Sequence, residues 1–128
     1  MRSRYRPTKS GLNSNMLTYF YDASNKTVFC SVKGTITHSE ILELFDRYLE
    51  DETIPRGAIE VVNFDPQASL NVDFKDAIKI HNKYREILKK KAFQTTVFET
   101  KTLPQYAAAR IIKATFENIN YCIEIKRG

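Results

Sequence analysis

Three short segments of the chain collect residues able to hold a charged group: Gly34-Thr35, the stretch 65–71 with Asp65 and Ser69, and Lys101-Thr102. Each stands just ahead of what reads as a helix start, marked by Thr37 with Glu40, by Asp73, and by Thr102 with Gln105. A helix start offers unpaired N–H groups and a partial positive charge. The chemistry available there is the holding of an anionic group, with Lys101 adding a full charge and Thr102 or Ser69 a hydroxyl. The competing expectation is that the three caps satisfy those donors internally, and three good cap sequences favour it.

Other chemistry finds less support. His38 falls at a helix start and His81 beside an apolar helical stripe, and no acid or nucleophile lies near either at a spacing that specifies catalysis. There is no His-x-x-x-His or Cys-x-x-Cys for a metal. The glycines form neither a P-loop nor a dinucleotide fingerprint. The expectation is a non-enzymatic protein with no catalytic residues, no metal and no cofactor. Cys30 and Cys122 both fall in segments that read as strands, so they are expected to be buried, reduced and inert.

The elements that must position these segments follow from periodicity. Strands are expected at 17–21, 27–33, 58–64, 93–100 and 121–126, and the turn formers of 22–26 join the first two as an antiparallel hairpin. Between the later strands lie segments with 3.6-residue spacing. The first carries Ile41, Leu42, Leu44, Phe45, Tyr48 and Leu49 on one side. The second, from Asp73 to about Lys91, carries Phe74, Ala77, Ile78, His81, Tyr84 and Leu88, with lysines toward its end, where cations offset the helix dipole. The third holds Tyr106, Ala107, Ala108, Ala109, Ile111 and Ile112, with Pro104 in its first turn.

The order ββαβαβαβ predicts one α/β domain: a mostly parallel five-stranded sheet with an antiparallel first strand and three helices. In such sheets the loops at the carboxyl ends of the parallel strands are the usual place of binding. The three segments named at the outset are those loops.

Composition sets the outer bounds. The 128 residues, 42% hydrophobic and 27% charged, suit a single core. The net charge of +5 is concentrated: Arg2, Arg4, Arg6 and Lys9 lie in residues 1–15 with no acid among them, leaving 16 basic against 15 acidic residues in the rest. A nearly neutral body argues against a nucleic-acid face. Residues 1–15 read as a flexible basic arm, or an extension ahead of a start at Met16, with the folded domain over 16–128. No apolar run is long enough to span a bilayer, and no secretory h-region is present, so a cytoplasmic location is expected.

The element order, the strand leading into Gly34-Thr35-Ile36-Thr37, and Gln105-Tyr106-Ala107-Ala108-Ala109-Arg110 within the last βαβ stretch resemble the bacterial SpoIIAA-like family. That family is related to STAS domains, the anti-sigma-factor antagonists, and similar in fold to CRAL-TRIO lipid carriers. In the antagonists a phosphorylatable serine follows the third strand in an Asp-Ser-Ser-Gly setting. Here Asp65-Pro66-Gln67-Ala68-Ser69-Leu70 keeps an aspartate and a later serine without that motif. The resemblance implies a small cytoplasmic, non-enzymatic regulatory or binding module; the edge loops read above would let it engage a protein partner or a small anionic or apolar ligand through Gly34, Thr35, Asp65, Ser69, Lys101 and Thr102. By analogy of fold, the alternative is a carrier of an apolar or lipid ligand, for which a tunnel beneath a helix is the mark. A homo-oligomer is compatible with either.

Overall fold

The computed structural model describes residues 6–7 and 16–128. The basic arm expected over 1–15 lies outside the described residues except for β1 (Arg6–Pro7), a two-residue strand with no counterpart in the sequence reading. It pairs antiparallel with the edge of β2 (Met16–Asp22), Arg6 opposite Tyr19. Backbone pairing at an edge needs no side-chain pattern, so periodicity is blind to it.

The hairpin and the parallel order are as expected. β2 pairs antiparallel with β3 (Thr27–Lys33), with Tyr19 opposite Cys30. Parallel pairing then joins β3 to β5 (Ile59–Phe64), β5 to β7 (Thr95–Thr100), and β7 to β8 (Cys122–Arg127). The spatial order is β1-β2-β3-β5-β7-β8, so every strand neighbours the ones before and after it in this sheet's chain order.

All three helices share one side of the sheet. Leu17, Cys30, Val62, Phe98 and Ile123 face the same interior as residues from α1 (His38–Glu50), α2 (Phe74–Lys91) and α3 (Leu103–Ala114). Phe64 at the centre has no exposed surface, and burial of such a side chain stabilises by roughly 1.5–3 kcal/mol. α1 and α2 run alongside each other, held by His38 Nδ1 to Asp76 Oδ1 at 3.2 Å near their starts and Lys83 Nζ to Asp46 Oδ1 at 2.7 Å farther along. On the opposite face a row of Phe20, Phe29, Val61 and Val97 crosses the strands in register, with the two phenyl rings stacked at 5.4 Å.

Two further strands appear where loops were expected. β4 (Thr35–Thr37) and β6 (Ser69–Asn71) form a small parallel sheet of their own. Gly34 makes this geometry available: at φ 73° it occupies the left-handed region, which a side chain disfavours.

Several side-chain placements depart from expectation. Cys122 is exposed, because it opens β8 pointing away from the helices while Ile123 points in. Cys30 is buried as expected. On α2 the buried stripe is Ala77, Ile80, Tyr84, Ile87 and Lys91, one step around the helix from the expected one, leaving Phe74 and Ile78 in solvent. Lys91 was expected at a solvated helix end. Instead its ammonium enters the interior and donates to the carbonyls of Asp51 at 2.7 Å and Ile54 at 2.9 Å, while burial lowers its pKa.

Candidate functional site

The loops at the carboxyl edge are built around Gln105, which is only 1% exposed. Thr102 caps α3 by accepting from Gln105 N–H at 3.2 Å, which fixes the start of the helix and places the Gln105 side chain beneath the edge. Its amide nitrogen donates to the carbonyls of Asp65 at 2.9 Å and Ala68 at 2.7 Å, and its oxygen accepts from Lys101 N–H at 2.7 Å. One neutral side chain thus ties the loop after β5 to the loop after β7. The loop after β3 joins them through the backbone: Ser69 N–H donates to the Gly34 carbonyl at 2.9 Å, and the Thr35 and Ser69 hydroxyls stand 3.2 Å apart.

All six expected site residues therefore belong to one connected edge. Gly34, Thr35 and Ser69 meet across β4 and β6, while Asp65, Lys101 and Thr102 meet through Gln105. The Lys101 ammonium turns to Asn63 Oδ1 at 2.8 Å. Each helix start commits part of its donors to its own cap. Asp73 accepts from Asp76 N–H at 2.8 Å, and Glu40 reaches back to Thr37 N–H at 2.9 Å. The edge offers a rigid polar platform more than a set of free donors.

Beside that platform stand the large apolar side chains most open to solvent among the described residues. Leu103 is 64% exposed, Phe74 59% and Ile78 41%. Leu103 and Phe74 open α3 and α2, and Ile78 lies one turn after Phe74 on the same side. The sequence reading had placed Phe74 and Ile78 in the core; the signal that could have corrected it is the alternative stripe of Ile80, Tyr84 and Ile87.

A second cluster went unread in the sequence. Glu60, 3% exposed, points from β5 into the interior. Its Oε2 accepts from the Tyr48 hydroxyl at 2.7 Å, and its Oε1 from Tyr84 at 2.7 Å and Thr96 at 2.9 Å. Tyr121 closes the group at 2.7 Å from Thr96 and 3.2 Å from Tyr84. Burial pushes the Glu60 carboxyl above its usual range, while the three hydroxyls pull it back down without cancelling that effect. The neighbouring Cys30 thiol is pushed far up by burial and then by the Glu60 charge, so it stays protonated and unreactive. The available signal was an acid at an inward position of a central strand, together with two stripe tyrosines whose hydroxyls would need partners.

This cluster borders an apolar cavity of about 60 Å³ between sheet and helices. His81 packs at 4.4 Å from Phe116 with its Nδ1 unpartnered, and burial lowers its pKa, so it behaves as a neutral packing group. Among the described residues no group of His, Cys, Asp or Glu is placed to hold a metal, and no helix is long and apolar enough to cross a membrane.

Comparison with known proteins gives no match: no family model, no curated protein and no solved structure corresponds to this chain.

Proposed function

We propose that this chain is a non-enzymatic interaction module that grips a protein partner at the carboxyl edge of its sheet, in keeping with the SpoIIAA-like resemblance. The reading is carried by one observation: among the described residues the exposed large apolar side chains are Leu103 and Phe74, which open helices beside loops locked together by Gln105, and Ile78 one turn farther on. Exposed apolar groups around a preorganised polar platform favour association, since little ordering entropy is lost on binding. Asp65, Ser69, Thr35 and Lys101 supply the polar rim and its specificity, and the module works in the cytoplasm.

The carrier alternative has less behind it. A cavity of about 60 Å³ is well short of the roughly 150 Å³ that admits a benzene ring, so an acyl chain does not fit. A small anion would compete with caps that already hold one donor at each helix start.

The test compares Leu103→Ser and Phe74→Ser with Phe29→Ser on the opposite face. Each variant is cross-linked in the cells of origin and its neighbours are quantified by mass spectrometry. The edge variants should lose a protein that the parent and Phe29→Ser both retain. Equal recovery of that protein by all of them would sink the proposal.

A further inference from the structure

The two edges of the main sheet are finished differently. The β2 edge carries β1, whose Pro7 has no N–H to offer. Among the described residues β8 has β7 as its one sheet neighbour, and its far edge is unpaired. Gly128 N–H donates to the Thr100 carbonyl of β7, and the carbonyls of Cys122 and Lys126 face the same strand, accepting from the side-chain hydroxyls of Thr95 and Thr100. In a regular strand the alternate residues face the other way. Ile123, Ile125 and Arg127 therefore aim their N–H and C=O groups at the open side.

We propose that two copies of this chain join antiparallel along β8, in the register that sets Ile125 opposite Ile125 of the second copy. Every free backbone group is then used, through paired bonds at Ile125–Ile125 and at both Ile123–Arg127 positions. The same register sets Glu124 opposite Lys126 of the second copy, twice by symmetry, on the face away from the helices. These fall at non-hydrogen-bonded positions, where side chains stand closest. Sliding the pairing by one step in either sense stacks Glu124 on Glu124 or Lys126 on Lys126, so charge selects the register. Charges that guard an edge against pairing are usually of one sign. Here Glu124, Ile125 and Lys126 are complementary to their own reversed copy. The apolar row of the bare face ends at this strand, because Val97 lies in register with Glu124, and the dimer makes the two bare faces continuous.

The full chain tests this in analytical ultracentrifugation at roughly 100 μM, where a modest interface is populated. The parent should sediment as a dimer. Lys126→Glu and Glu124→Lys, both exposed positions, should each sediment as monomers, the dissociation constant rising about tenfold or more, with thermal midpoints equal to the parent's at dilutions where the parent too is monomeric. Mixing these two variants should restore a dimer, since each then meets the opposite charge. A monomeric parent, a dimer indifferent to either reversal, or a mixture that stays monomeric would each overturn the proposal.

Discussion

Glu60 and Gln105 solve the same problem with different chemistry. Each is a buried polar side chain that draws together groups from elements distant in the sequence. Glu60 gathers side-chain hydroxyls from α1, α2 and β7, whereas Gln105 gathers two backbone carbonyls and two backbone N–H groups from the edge loops. A carboxyl that ionises in the interior carries a desolvation penalty that three hydroxyl bonds only partly offset. A neutral amide carries far less and does not titrate. The core is therefore fastened by a pH-sensitive group and the carboxyl edge by an indifferent one.

The largest expected effect comes from removing the first fastening. Glu60→Ala leaves the hydroxyls of Tyr48, Tyr84 and Thr96 without their acceptor and enlarges the neighbouring cavity, so it should destabilise by about 3 kcal/mol in urea unfolding. A loss below about 1 kcal/mol would mean that these hydroxyls find other partners at little penalty. Gln105→Ala should destabilise by about 2 kcal/mol and raise amide exchange selectively at residues 65–69 and 101–102. Uniform exchange over the whole domain would show that Gln105 supports the core and not the edge.

The pH contrast sharpens the comparison next. Glu60 has its folded pKa above the unfolded value, so its contribution is fully present below about pH 4.3 and is lost as pH rises through the folded value. The parent should fall behind Glu60→Gln by about 1.4 kcal/mol for each unit that the folded pKa exceeds the unfolded one. Gln105→Ala should track the parent at a constant offset, and parallel curves for all three would contradict the assignment. Lys101→Ala and Ser69→Ala should each cost about 0.5 kcal/mol or less, while weakening association with the partner proposed for this edge. A large loss of melting temperature in either would make them structural residues.

What the sequence disclosed and what it withheld divide along physical lines. Strand and helix order was legible because alternation, 3.6-residue spacing and cap residues are local signals. The same caps located all three edge loops, since Thr37, Asp73 and Thr102 each mark where a loop ends. The pairing of those loops into β4 and β6 was hidden, because it is made of backbone bonds between stretches far apart in the chain. The facing of α2 was misread because its apolar residues support two overlapping stripes, and only packing against α1 and α3 decides between them. Glu60 was passed over because its partners come from three other elements, whose convergence no spacing encodes.

The strand order carries a consequence for how the chain is made. Each parallel strand of the main sheet is laid against the strand that precedes it in that sheet, and none has to be inserted between two already paired. Contacts thus stay close in sequence for a mostly parallel sheet, which lowers the loop-closure entropy charged against each addition. As the chain emerges, each completed βα unit can dock on a surface already in place. As each of β3, β5, β7 and β8 is added, the main sheet has its newest strand at the growing margin, so an incoming βα unit always meets an open edge.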